Sequence, residues 1–487
     1  MFDSSLKVRI PPSPTGPLHL GTVRTALYNF LLAKKHGGTF VFRLEDTDRE
    51  RSKSEYVSDI INGFRWLGIT WDEGPLRQSE HKARHQMVVK QLIGEGLAYE
   101  CFCTTEELNE IRQSQRAQNL VEGYDNRHRG LTEEQKKNFR EQGRKPVIRF
   151  RLPDNKELFW DDLIRGRMTV NTSDLGGDPV IAKDNGDVLY NFAVVVDDND
   201  AGINCVIRGE DHLHNTAKQI ALYEGLNWKV PKFGHVSLIL TTNREKLSKR
   251  KHGDIAGITK YINEGYLPEA IVNYLIGMSW TYPGDDSKEI FTIDEVIPIF
   301  SLDNVSKSSA VYDLGKLHWF CKEHFKLTSS EEVLKRAEPF LEKENISLNE
   351  YSIEEKLKII SLIKDGLITL SEIPQQVKVF CKIPDLSNLE IKEKECLDDP
   401  NAKLILEKLK DLLNESDSLN EEQQVKDLLE KLSSETGIKK GKKLFWPVRV
   451  AISGTVHGPD LTSMLSILGL GRVKDRIERV NNFLMNE

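Results

Sequence analysis

The feature that most constrains this chain is a change of hydrophobic period near Ser329: strand-like and helix-like segments interleave before it, and only helical spacing follows. Lys7 to Ile10 alternates, Pro11 to Gly16 is rich in turn residues, and Val23, Leu27, Phe30 and Leu31 recur at helical spacing until Gly37 and Gly38 stop the helix. Thr39 to Leu44 reads as a second strand. Ser54 to Leu67 reads as a second helix, carrying Val57, Ile60, Ile61 and Phe64 and ending at Gly68. This succession predicts the opening of a parallel, doubly wound α/β sheet. Strand-like runs return at Val188 to Val196, Asn204 to Arg208 and His235 to Leu240, with a helix between the last two, so a domain inserted over roughly Cys101 to Asp187 interrupts the sheet. Beyond Ser329 come charged amphipathic segments, Ser330 to Glu344, Ile353 to Leu370 and Asn420 to Leu432, which predict an all-helical C-terminal third.

A chain of 487 residues exceeds what one core usually supports, so several domains are expected. No apolar run is long enough to cross a bilayer. Met1 to Arg9 mixes Asp3 and Lys7 with small residues and leads directly into a strand, leaving no room for a secretory signal; the cytoplasm is the expected compartment. Of six cysteines only Cys101 and Cys103 are close in sequence, which suits reduced thiols or a metal site better than a disulfide framework. The net charge of -7 means that any surface for nucleic acid must be local. Two stretches qualify: Arg127 to Arg151, and Lys439 to Arg449 with Phe445 and Trp446 among its basic residues. Taken alone, each reads more readily as a solvated face.

The first loop carries chemistry. Pro12-Ser13-Pro14-Thr15-Gly16 leads into His19-Leu20-Gly21-Thr22 at a helix start, where free amides and the positive dipole end suit a nucleotide phosphate, and Gly21 removes a side chain that would block approach. The plainer alternative is a proline turn followed by a helix whose lone histidine satisfies a backbone group. A second loop, Lys246-Leu247-Ser248-Lys249-Arg250, places two lysines around a serine just after a strand, an arrangement suited to clamping a triphosphate. No Gly-x-x-x-x-Gly-Lys-Ser/Thr loop is present, which disfavours P-loop hydrolysis.

Together these loops resemble the HIGH and KMSKS signatures of class I aminoacyl-tRNA synthetases. The surrounding runs narrow the resemblance to bacterial-type glutamyl-tRNA synthetases: Arg9-Ile10-x-Pro12-Ser13-Pro14-Thr15-Gly16, Arg43-Leu44-Glu45-Asp46-Thr47-Asp48, Trp71-Asp72-Glu73-Gly74-Pro75, Val206-Ile207-Arg208-Gly209-Glu210-Asp211 and Trp446-Pro447-Val448-Arg449. The resemblance spans essentially the whole chain. It is strongest from Arg9 to Arg250 and weakest after about Ser329.

The resemblance implies a Rossmann-type catalytic domain in two halves (1–100 and 188–228), an inserted α+β acceptor-binding domain (101–187), a stem-contact region with the lysine loop (229–328) and an all-α anticodon-binding region (329–487). It implies ATP, Mg2+ and glutamate as reactants, tRNA as partner, and no membrane; a monomer is expected. The glutamate pocket would use Arg9, Ser13, Glu45, Tyr190 and Arg208, where arginines suit a substrate carboxylate and Glu45 its ammonium. Catalysis would fall to His19, Gly21, Thr22, Lys246, Ser248 and Lys249, and ATP to Thr15, Gly16, His19, Gly21, Glu210 and Lys249. Asp48 and Arg51 match positions near the acceptor end of tRNA, and Lys439, Lys440, Lys442, Lys443, Trp446 and Arg449 fall in the implied anticodon region.

Some relatives hold structural zinc at the position of Cys101 and Cys103. Where their pattern has a second Cys-x-His pair this chain has His128 and Gly130, so the resemblance implies Cys101, Cys103 and His128, with Tyr124 completing four; the alternative is two incidental thiols beside a polar loop. In an ungapped reading, Gly366 falls where relatives that demand one anticodon third base carry Arg, which leaves room for charging glutamine tRNA with glutamate. Two rivals stand: a related ligase for another amino acid, and a noncatalytic tRNA-binding paralogue, which the presence of His19, Lys246 and Lys249 disfavours.

Overall fold

In the computed structural model, which describes residues 2, 4–48, 50–247 and 255–486, the first strand is Lys7–Ile10. It pairs in parallel with Thr39–Leu44, which in turn pairs in parallel with Glu73–Arg77. Parallel neighbours need a crossover, and helix Leu20–His36 supplies the first. That helix ends because Gly37 adopts φ 64°, letting its N–H close back on the last turn. Helix Ser54–Trp66 makes the second crossover, and Gly68 follows it at φ 72°.

A second parallel pair, Cys205–Gly209 with Lys232–Val236, is joined by helix Leu213–Gly225. The two pieces meet at Asn204, whose N–H donates to the Lys7 carbonyl (3.1 Å) while its Oδ1 accepts from the Lys7 N–H (2.9 Å). Chain order therefore runs one way from Lys7–Ile10 and the other way from Cys205–Gly209. The crevice at the carboxyl ends of these strands is a topological switch point, where open α/β sheets bind ligands.

Two sequence expectations for the sheet need correction. Val188 to Val196 is not a strand; Tyr190–Asp200 is a helix, with Phe192 to Asp198 all buried. A β-branched run buried all round has no polar face to reveal its period, so helix and strand look alike in it. The strand expected over His235 to Leu240 instead begins at Lys232 and ends at Val236, and Ile239–Leu240 pairs separately with Ala310–Val311. The break falls where the Ser237 carbonyl accepts from Arg24 and the Leu238 N–H donates to Glu210 Oε1 (2.7 Å).

Between the two parallel pieces lie antiparallel strands Ala98–Cys101, Val147–Phe150 and Val180–Ala182, and a hairpin of Glu157–Asp162 with Gly166–Asn171. Helices Thr105–Ala117 and Glu133–Glu141 accompany them, each opened by a threonine capping box. The chain divides into two compact units, Met1–Ile262 with Ile271–Leu314, and Asn263–Ala270 with Gly315–Glu487. Past Ser329 the described residues form helices and no strand. Ile353 to Leu370, expected as one helix, stops at Ile363, with 3-10 turns at Lys364–Gly366 and Leu370–Glu372 after it. No helix among the described residues is long and apolar enough to cross a membrane.

Candidate active site

A cleft of about 650 Å³ opens at the switch point, a size that suits a small-molecule ligand. Its lining brings together Arg9, Ser13, Thr15, His19, Gly21, Thr22, Glu45, Tyr190, Arg208 and Lys246 from distant parts of the sequence. Gly16 and Glu210 are not part of that lining. The Glu210 carboxylate instead accepts from the Leu238 amide (2.7 Å) and pairs with Arg165. Ser248 and Lys249 lie outside the described residues.

Strand geometry sets the charges. Arg9 is buried, its Nε donating to Asp198 Oδ2 (3.1 Å), while Asp198 Oδ1 accepts from Arg43 Nη1 (2.7 Å). Glu45, just past the end of the second strand, is also buried; its nearest cation is Arg43 Nη2 at 3.7 Å. Four atoms in this cluster lack a hydrogen-bond partner among the described residues: Arg9 Nη1, Arg43 Nε and Nη2, and Glu45 Oε1. Burial pushes the Glu45 carboxyl up to about 7, against the pull of Arg43 and Arg9. A desolvated donor on a guanidinium and a desolvated carboxylate oxygen each cost free energy until paired, so the site fits a ligand carrying both an anion and a cation.

Arg208 lies across the cleft at the end of strand Cys205–Gly209. Its Nη1 donates to Gln219 Oε1 (2.8 Å), and its Nη2 donates to Thr216 Oγ1 (2.8 Å) and the His212 carbonyl (3.4 Å). Tyr190 is the first residue of its helix, with its hydroxyl 3.2 Å from His212 Nδ1. Burial pushes His212 down to about 4, so its ring is neutral near pH 7. Sequence reasoning missed Asp198, His212, Thr216 and Gln219. Only the alternation of Arg9 with buried Val8 and Ile10 hinted at a buried cation needing a distant carboxylate.

At the helix start both readings of His19 hold. It is the N-cap of Leu20–His36, its Nδ1 accepting from the Thr22 N–H (3.3 Å) with Nε2 3.0 Å from Thr22 Oγ1, and it also lines the cleft. The first turn contains no acidic residue. A Cβ at Gly21 would come within 3.1 Å of the His19 ring, so glycine keeps that ring in place. Lys246 Nζ is 2.7 Å from Asp211 Oδ2, an exposed pair at the cleft edge.

Away from the cleft, Cys101, Cys103 and His128 bring ligand atoms within 4.8 Å of one another. His128 Nδ1 accepts from the Phe102 N–H (3.1 Å), and Nε2 is 3.9 Å from Cys103 Sγ. The hydrogen bond from Cys103 holds the Cys101 thiol well below its ordinary value, with the Tyr124 hydroxyl and Arg149 adding to it; Cys103 is pushed up in turn. Two thiols sharing a proton beside an imidazole form a donor set that fits tetrahedral zinc. The Tyr124 hydroxyl accepts from the His128 N–H (2.9 Å) and touches Cys101, and its own pKa is raised, first by burial.

The residues expected to meet RNA are exposed or half-buried. Arg51 and Asp48 pair at 2.5 Å, and Lys440 pairs with Glu430 at 2.6 Å. Lys392 and Lys442 flank the Trp446 ring at 5.0 and 5.2 Å, and Lys439 and Lys443 are exposed. Arg449 Nη1 is turned to the Pro459 carbonyl (2.6 Å), where it holds a loop.

Comparison with known proteins identifies the family. The family "tRNA synthetases class I (E and Q), catalytic domain" matches residues 5–319, and "Anticodon binding domain" matches residues 332–481. The chain belongs to the class I tRNA synthetases of the glutamate and glutamine group. Within that class its full-length relatives are glutamate–tRNA ligases. That of Prochlorococcus marinus (strain NATL1A) is 43% identical over 98% of this chain and 99% of its own. That of Carboxydothermus hydrogenoformans is 41% identical over 98% of this chain and 100% of its own. A crystal structure of a glutamate tRNA ligase from Elizabethkingia meningosepticum in complex with its amino acid superposes with a TM-score of 0.87 at 32% identity, covering 99% of this chain and 100% of that one.

Proposed function

We infer that this chain is a glutamate–tRNA ligase that activates glutamate with ATP and transfers it to the 3′ end of tRNA. One observation carries the choice of amino acid: Arg9 Nη1 and Glu45 Oε1 are buried, make no hydrogen bond among the described residues, and belong to residues that line the same cleft. Glutamate offers a side-chain carboxylate to the arginines and an ammonium to Glu45. Glutamine would bring no anion to the buried arginines of the cleft, a mismatch worth several kcal/mol.

The substrate α-carboxylate attacks the α-phosphorus of ATP in line, forming the acyl–phosphate bond as the bond to pyrophosphate breaks. The chain contributes position and charge. His19 and the amides at the start of helix Leu20–His36 face the phosphates, with Thr15, Gly21 and Thr22 around them. Lys246 leaves Asp211 to meet charge on the transferring and leaving oxygens, joined by Lys249 and Ser248 of the same loop, and Mg2+ accompanies ATP. A terminal ribose hydroxyl of tRNA then attacks the adenylate carbonyl and AMP leaves. The interruption at 101–187 serves the acceptor end with Asp48 and Arg51 nearby, residues 229–328 meet the stem, and the helical region from 329 reads the anticodon with Lys439, Lys440, Lys442, Lys443 and Trp446. Cys101, Cys103 and His128, with Tyr124 beside them, hold structural zinc, which would tie the two ends of the interruption's first loop together.

The test is aminoacylation with labelled glutamate or glutamine on separately transcribed glutamate and glutamine tRNAs, alongside ATP–pyrophosphate exchange. Glutamate transferred to glutamate tRNA is expected. Transfer to glutamine tRNA as well would fit the side-chain-free turn at Gly366. No transfer and no exchange would leave a tRNA-binding paralogue.

A further inference from the structure

The hairpin Glu157–Asp162/Gly166–Asn171 belongs to the interruption, yet its tip docks on the catalytic sheet. The Leu163 N–H donates to the Phe233 carbonyl (2.8 Å). Asp162, at the end of the first hairpin strand, has no exposed side-chain surface, and neither does His235 on strand Lys232–Val236. Asp162 Oδ1 accepts three backbone N–H groups, those of Ile164 (3.1 Å), Arg165 (3.0 Å) and His235 (3.1 Å). Its other oxygen, Oδ2, sits 2.5 Å from His235 Nδ1. On the far side of the imidazole, Nε2 faces Arg208 Nε (3.2 Å) and Thr216 Oγ1 (3.0 Å).

The donor inventory fixes this chain. A carboxylate only accepts, so Nδ1 carries the proton; Arg208 Nε–H only donates, so Nε2 must be the bare, accepting nitrogen. The imidazole is neutral in one tautomer. Burial lowers the His235 pKa, and the Arg208 charge adds to that against the pull of Asp162.

We propose that Asp162 and His235 are positioning residues for the glutamate pocket: the hairpin tip locks the tautomer of His235, and that tautomer aims the Arg208 guanidinium. The inference rests on the glutamate-ligase reading for what Arg208 binds. It assigns the hairpin a part in recognising the amino acid. The second contact from the same tip, Arg165 with Glu210, holds the segment that follows Arg208.

The variant Asp162→Asn separates this role from general support. Three backbone N–H groups hold the amide oxygen at the Oδ1 position, so the NH2 must face His235 Nδ1. The imidazole then shifts its proton to Nε2, where it opposes Arg208 Nε–H donor to donor. We expect the KM for glutamate to rise about tenfold or more, with the KM values for ATP and tRNA unchanged. Adding His235→Gln, whose amide oxygen accepts from Arg208 with no tautomer to shift, recovers most of the loss. Should Asp162→Asn not fold, the single variants decide: His235→Gln stays within about threefold of the parent KM for glutamate and His235→Leu does not. An unchanged glutamate KM in Asp162→Asn, an equal rise for all three substrates, or equal values for His235→Gln and His235→Leu would overturn the proposal. The parent enzyme is the control. Its failure to charge glutamate would sink the ligase reading itself, whereas normal charging with an unaffected Asp162→Asn sinks only the positioning role.

Discussion

The cleft at the switch point and the Lys439 to Arg449 segment, which we propose meet an amino acid and RNA, hold their charges by opposite means. In the cleft Arg9 and Glu45 are buried at 1% and 8% exposure and held by Asp198 and Arg43. In the C-terminal segment the lysines stand in solvent around a half-buried Trp446. The difference suits the partners proposed for them. Telling glutamate from glutamine turns on one charge, which is worth most where water is excluded and the partner cannot rearrange. A polyanion offers many similar phosphates, for which exposed, mobile cations and a stacking ring suffice and salt competes.

The sharpest attempt to break that contrast is Glu45→Gln, which keeps the shape of the side chain but leaves the substrate ammonium without a buried anion. We expect kcat/KM for glutamate to fall about 100-fold or more with tRNA affinity unchanged, read from aminoacylation kinetics and filter binding. A fall of only a few-fold would mean that the pocket is as solvated as the C-terminal patch. Acidity probes the same residue. With its carboxyl pushed up to about 7, Glu45 is ionised above that pH and protonated below it. The KM for glutamate should therefore rise as pH falls from 8 to 6, by about tenfold per unit once below the pKa, and stay flat over that range in Glu45→Gln.

On the other side of the comparison, Trp446→Ala should weaken tRNA binding by about tenfold, and Lys442→Ala should reduce the slope of log affinity against log salt by about 1, both leaving glutamate KM as it was. A shift in glutamate KM from either would couple the two regions. The smallest effect is expected at the metal cluster. Cys103→Ser should release bound zinc, measured by a colorimetric chelator, and lower the first unfolding midpoint by roughly 5 °C without altering glutamate KM. No zinc in the parent protein would remove the metal and leave two thiols sharing a proton.

Much of the site could be read before folding was considered. Proline-rich turn, histidine and glycine stand together at a helix start because those functions are local, and the cleft indeed contains Ser13, Thr15, His19, Gly21 and Thr22. Arg9, Glu45 and Arg208 were recognisable as members of ordered runs. Tyr190 is legible from resemblance alone, since the segment around it reads as a strand; as the first residue of a buried helix it reaches the cleft by a different geometry. Glu210 shows the opposite failure, for its run matches the family while its carboxylate is turned to Arg165 and a backbone amide.

By itself, the sequence determined the parallel α/β opening, the stops at Gly37 and Gly68, the helical C-terminal region and the residue types that chemistry at the cleft requires. Those follow from period, turn residues and short-range spacing, which act over a few residues. Only the tertiary structure decided which carboxylate holds Arg9, which atoms of Arg9 and Glu45 remain open for a ligand, and that a hairpin carboxylate reaches Arg208 through His235. Asp198 lies 189 residues from Arg9, and Asp162 lies 73 from His235, so no local pattern could join them. Burial made those pairings necessary, because a charge taken out of water needs a partner wherever in the chain that partner comes from.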